Sequence, residues 1–136
     1  MSRDNLPLGS PVEAYIWNEN AVCINASIYI QHKASRRDEA AILVAPKRNL
    51  KTGEVRWHSA YQYEYKDGGG GSYPSLGSKG GTAPPCATRE AAAADAIRYL
   101  LGRHERSWCP YLSPTAEHLL RTELNRLTQP QQLTLF

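Results

Sequence analysis

Ala40-Ala41-Ile42-Leu43-Val44-Ala45, followed after a polar turn by Val55-Arg56-Trp57-His58-Ser59-Ala60-Tyr61-Gln62-Tyr63-Glu64-Tyr65, is the stretch on which the fold is decided. The first run is apolar at every position, so neither of its faces is suited to water and it belongs in the middle of a sheet. The second alternates. Val55, Trp57, Ser59, Tyr61, Tyr63 and Tyr65 share one side, while Arg56, His58, Ala60, Gln62 and Glu64 share the other, the period of two of a strand. Pro46 closes the first run, and Lys51-Thr52-Gly53-Glu54 offers a turn with glycine in the left-handed position.

Upstream, Ala21 to His32 alternates as well, with Val22, Ile24, Ala26, Ile28 and Ile30 on one face. Lys33 to Asp38 is a polar link to the central run. Before it, Val12 to Trp17 reads as a short strand joined through the turn Asn18-Glu19-Asn20. Short connections make these segments an antiparallel meander of about four strands.

Downstream, Asp67 to Pro85 holds seven glycines and three prolines, including Gly68 to Gly71 in a row, which argues for a flexible loop. It has no G-x-x-x-x-G-K-(S/T) spacing, so no phosphate cradle is expected. Thr88 is a candidate N-cap, Glu90 suits the first turn, and Ala91 to Leu101 favours a helix that Gly102 would stop. Ser113-Pro114 opens a second helix, with Ala116, Leu119, Leu120, Leu124 and Leu127 at helical spacing. The expected fold class is α+β: an antiparallel sheet of about four strands packed by the helix at 88–102, plus a second C-terminal helix at 114–127 and a flexible tail. Residues 1–127 read as a single domain, and 128–136 as a linear peptide.

With 136 residues, 41% of them apolar, the chain suits one folded domain. No run approaches the ~20 apolar residues of a membrane span, and no apolar stretch follows the first residues as in a secretion signal. A cytoplasmic location is expected, with Cys23, Cys86 and Cys109 reduced. His104, Cys109 and His118 lack the paired spacing of a closed metal shell, so no metal is expected. Cys86 lies two residues before the N-cap, where a helix dipole can lower a thiol pKa, but the sequence places no histidine beside it. No carboxylate pair suggests acid–base chemistry. The chain is read as non-catalytic and without a cofactor.

The net charge is only +3, yet residues 33 to 56 hold Lys33, Arg36, Arg37, Lys47, Arg48, Lys51 and Arg56 against Asp38, Glu39 and Glu54. These seven cations are candidates for contact with DNA or RNA, or else a solvated rim. The loops at 33–38 and 46–54 are expected at opposite ends of one strand, roughly 20 Å apart. The aromatic stripe of Trp57, Tyr61, Tyr63 and Tyr65 either stacks bases or forms the floor beneath a helix.

The last stretch, Thr128 to Phe136, has no charge, and it contains the only phenylalanine of the chain. Gln132-Leu133-Thr134-Leu135-Phe136 resembles the peptide Q-L-(S/D)-L-F by which proteins dock on the bacterial DNA sliding clamp. The resemblance covers five residues and none of the body, and Thr134 is its one departure. It implies that Gln132 hydrogen-bonds at a pocket rim, Leu133 anchors the entry, and Leu135 with Phe136 fills an apolar pocket of the clamp. Such a protein is a replication or repair accessory factor, or a competitor of polymerases. The alternative is a nucleic-acid-binding module, or an inhibitor or adaptor of a phage or mobile element, with its tail packed on its own domain.

Overall fold

The computed structural model describes residues 5–76 and 85–129. Four strands, β1 (Ser27–Ser35), β2 (Asp38–Arg48), β3 (Val55–Tyr65) and β4 (Gly68–Gly71), form one antiparallel sheet in sequential order. Two helices follow, α1 (Arg89–Arg106) and α2 (Pro114–Thr128). This is the expected α+β meander, although one of its four strands, β4, is not an expected one and takes the place of the strand read at 12–17.

Strand β2 lies between β1 and β3 and separates two apolar layers. Ala40, Ile42 and Val44 meet the helices, where Ile97, Leu100, Leu112, Ala116 and Leu120 close the larger core. Leu43 and Ala45 face the other way and pack with Tyr15, Cys23 and Ala26. Pro46 does not end the strand, which runs on to Arg48. Its pair is Trp57 on β3, and it lies beyond Val44, the last residue of β2 paired with β1, so β2 there has a single neighbour and a proline is tolerated.

The alternation read over 21–32 is not one strand: β1 begins only at Ser27, Val22 and Cys23 form isolated bridges, and Cys23 packs in the same small core as Ala26 and Ile28. Within β1 the alternation then changes phase. A register shift between Ile28 and Ile30 sets Ile28 opposite Leu43 and Ile30 opposite Ile42. Ile28 therefore joins the smaller core and Ile30 the helix side, because a bulge turns the strand over.

Val12 to Trp17 is not a strand. Val12–Ala14 is a single 3-10 turn after Pro11, and only Trp17 forms an isolated bridge, to Cys23. Asn25 supplies what a neighbouring backbone would have given: its Oδ1 accepts from the Ile16 N–H at 2.7 Å and its Nδ2 donates to the Ala14 carbonyl at 3.1 Å. The turn at 18–20 does form. Asn18 Oδ1 accepts from the amides of Asn20 and Val22, and the left-handed position falls on Ala21 at φ 60°.

The glycine run supplies the fourth strand, contrary to its reading as a loop. Lys66-Asp67 makes a two-residue turn, and Gly68 to Gly71 pair with Tyr65 back to Gln62. Glycine is required here by close approach. A Cβ on Gly69 would lie 2.7 Å from the Tyr63 carbonyl oxygen, one on Gly70 2.8 Å from the Tyr63 hydroxyl, and one on Gly71 2.3 Å from the Tyr61 carbonyl oxygen.

Both helix starts follow the sequence: Thr88 accepts from the Ala91 N–H and Ser113 from the Ala116 N–H. Gly102 does not stop α1, which continues to Arg106. The longer helix lets His104 tie it to α2. Its Nδ1 accepts from the Leu112 N–H at 3.2 Å, so Nε2 carries the proton and donates to Glu117 Oε1 at 3.1 Å.

Helix α2 is fastened to β1 by Tyr29, whose hydroxyl donates to Glu123 Oε2 at 2.8 Å. Burial, then this bond and the Glu123 charge, push the Tyr29 hydroxyl up to about 12. A raised folded-state pKa means a contribution complete below the ordinary value of about 10 and lost as pH rises towards 12. Denaturant titrations at pH 9 and near pH 12 should show stability falling over this interval, with a shallower fall in Tyr29→Phe.

Candidate functional site

The seven cations singled out in the sequence fall into two groups. Strand β2 runs eleven residues, Asp38–Arg48, so its ends are about 33 Å apart, farther than the six-residue run suggests. Lys47, Arg48, Lys51 and Arg56 gather at the β2–β3 turn, while Lys33, Arg36 and Arg37 lie at the β1–β2 turn.

At the β2–β3 turn, Asn49 orders the loop. Its Oδ1 accepts from the amides of Lys51 (2.8 Å) and Thr52 (3.2 Å), and its carbonyl accepts from the Gly53 N–H at φ 77°. Leu50 is thereby held 91% exposed. A groove of about 550 Å³ runs beside it, lined by Lys47, Arg48, Lys51 and Arg56 around Leu50, His58, Leu76 and Pro85. Two of its cations are already matched: Arg48 pairs with Glu13 at 3.2 Å and Arg56 with Glu54 at 3.0 Å. Lys47 and Lys51 have no ion pair among the described residues.

At the β1–β2 turn, Lys33 pairs with Glu39 at 3.4 Å, and Arg37 Nη1 donates to the Lys66 carbonyl at 3.3 Å. The aromatic stripe is the floor beneath α1. Tyr63 is buried, Trp57, Tyr61 and Tyr65 are half-buried against the helix-side core, and Tyr63 stacks on Tyr111 at 4.7 Å. It offers no continuous open face for bases. Arg103, on the extra turn of α1, sits 5.8 Å from the Tyr111 ring centre. Its Nε is buried without a hydrogen-bond partner among the described residues. Hydrogen bonding to Tyr99 is the chief reason its pKa is pushed further up, so it stays a cation.

Cys86 is held by a backbone bridge to Trp57. Its Sγ donates to Asp95 Oδ2 at 3.3 Å, and burial followed by that hydrogen bond pushes the thiol up to about 11. The helix dipole does not prevail, and Cys86 is a poor nucleophile at neutral pH. Burial lowers the pKa of His58, which stands edge-on to Trp17 at 5.4 Å and serves packing. No group of three or more His, Cys, Asp or Glu among the described residues could hold a metal ion. None of the described helices is long and apolar enough to cross a membrane.

Gln132, Leu133, Thr134, Leu135 and Phe136 lie outside the described residues. What precedes them is defined. Helix α2 ends at Thr128, and Gln129 is extended at φ −67° and ψ 131°, the conformation imposed on a residue that precedes a proline.

Sequence reading missed Trp108. It is 99% exposed in the link between the helices, between Ser107 and Cys109. The signal was present as Ser107-Trp108-Cys109-Pro110, too short and polar-flanked to belong to either apolar stripe. In comparisons with known proteins, no family, no curated protein and no solved structure matches this chain.

Proposed function

We propose that this protein docks on the bacterial DNA sliding clamp through Gln132-Leu133-Thr134-Leu135-Phe136, as a non-catalytic, cytoplasmic partner of the replication or repair machinery. The observation that carries this reading is the fit of the anchor positions in a segment that follows an extended exit from α2. Pro130 cannot continue that helix, and Gln129 already has the backbone of an extended ligand. Among the described residues, the helix-side core is supplied by β1, β2, β3, α1, Leu112 and α2, and this reading takes the segment as an addition to that core.

In the docked state Leu135 and Phe136 enter an apolar pocket of the clamp, Leu133 anchors the entry, and Gln132 orients the peptide at the rim. Burying each large apolar side chain contributes about 1.5–3 kcal/mol. Ordering the peptide offsets part of this, so the affinity should be micromolar, about −8 kcal/mol. Phe136→Ala should weaken binding of the purified protein to the clamp at least tenfold, about 1.4 kcal/mol, with the melting temperature unchanged. Unchanged affinity, or a large loss of thermal stability, would remove the reading. Clamp-dependent DNA synthesis separates the two roles: a competitor suppresses it through Phe136, whereas an accessory factor leaves it intact.

A further inference from the structure

Three connections meet at the end of the sheet away from the groove. Arg37 of the β1–β2 turn donates to Lys66 of the β3–β4 turn, and next to it Asp67 accepts from the Cys109 thiol at 3.6 Å in the link between the helices. Tyr65 and Tyr111 join the same two segments at 5.3 Å between ring centres. The link is stiffened by Ser107, whose hydroxyl accepts from the Cys109 N–H at 3.2 Å and donates to the Cys109 carbonyl at 2.6 Å. Trp108 is the residue that this small loop leaves fully in water.

The segments that meet here carry exposed cations without ion pairs. Arg36, Arg37, Lys66 and Arg106 are exposed, and none is ion-paired among the described residues. Of the nearby acids, Glu105 is paired with Arg121 at 2.6 Å, Asp38 lies 3.1 Å from His32, and Glu64 lines a groove beside β4 with Glu39 and Gln62. Asp67 accepts from the Cys109 thiol and keeps its negative charge, so the four cations remain in surplus over Asp38, Glu64 and Asp67, the three carboxylates here not paired with an arginine or lysine among the described residues. The Arg106 guanidinium lies back over Gly102, 3.0 Å from where a Cβ would stand, at the free end of a side chain long enough to swing away.

We propose that this end of the molecule binds single-stranded nucleic acid, with Trp108 as a base-stacking platform and Arg36, Arg37, Lys66 and Arg106 as backbone contacts. An exposed indole contributes a flat apolar face that any base can cover, and the surplus of cations matches a polyanion. An unpaired strand supplies both; a duplex keeps its bases stacked away. The assignment does not depend on the clamp reading, because it uses none of residues 132–136.

The test is fluorescence anisotropy of a labelled oligothymidylate of about 20 nucleotides, titrated with the full chain at about 50 and 200 mM salt. Trp108→Ala should weaken binding at least fivefold and Phe136→Ala should leave it unchanged. The triple change Arg36→Gln, Arg37→Gln and Lys66→Gln should reduce the slope of log affinity against log salt by about 2. Lys47→Gln with Lys51→Gln, at the opposite end, should not alter affinity. Absence of binding, a Trp108→Ala variant that binds like the parent, or displacement of the oligonucleotide by polyglutamate of equal charge would overturn the assignment. The last result would indicate an acidic protein as the partner.

Discussion

Gly71→Val is expected to strip β4 from β3 and to lower stability by about 3 kcal/mol, a fall in melting temperature on the order of 10 °C. Two penalties combine. Gly71 has φ 131°, a region unfavourable to residues with a side chain, and its new Cβ would stand 2.3 Å from the Tyr61 carbonyl oxygen and 2.6 Å from the Gln62 Cα. Both atoms belong to the backbone of β3, so no rotamer change relieves the overlap. That same carbonyl accepts from the Ser72 N–H at 3.0 Å. Hydrogen exchange should therefore show Ser72 losing protection while amides of the β1–β2 ladder retain theirs. Unchanged protection at Ser72 would mean that β4 is not held as described.

Leu100→Ala is expected to cost 2–5 kcal/mol, measured by denaturant unfolding. Leu100 is fully buried on α1 in the cluster shared with Ile42 and Val44 of β2 and Leu120 of α2. The loss is large because the cavity is bounded on three sides by regular structure that cannot collapse into it. The neighbouring alanines are the reason for the close packing: Ala93 and Ala96 are completely buried and let α1 lie near the sheet. A cost below 1 kcal/mol would place α1 elsewhere.

These two sites also mark what the residues disclosed and what they withheld. The central place of β2 was legible in Ala40 to Ala45, and both helix starts in Thr88 and Ser113, because burial on two faces and N-capping are local requirements. The glycine strand was not. Glycine is a poor strand former by composition, and only the proximity of the β3 backbone makes it necessary, a fact of pairing rather than of propensity. The phase change at Ile28 and Ile30 was hidden for a related reason: strict alternation in the sequence carries no mark of a bulge.

The surfaces were legible in part. The division of the basic residues between two ends of a strand followed from the meander alone, and β2 realises it over a greater length. What gathers at each end was invisible, because the β1–β2 turn, the β3–β4 turn and the link that carries Trp108 are separate segments, and only the fold brings Arg37 to Lys66 and Cys109 to Asp67. Gly102 misled because a glycine near a helix end usually marks a stop, whereas here α1 runs on through it to Arg106.

The central proposal divides the molecule into a body that is stable by itself and a segment that serves as a ligand. Its most direct measurement is a calorimetric titration of the bacterial sliding clamp with the full chain and with a chain ending at Gln129, paired with the melting temperature of each. The proposal predicts equal melting temperatures, a micromolar isotherm for the full chain and no heat of binding for the shorter one. A shorter chain that binds the clamp equally well, or one that melts many degrees lower, would contradict it.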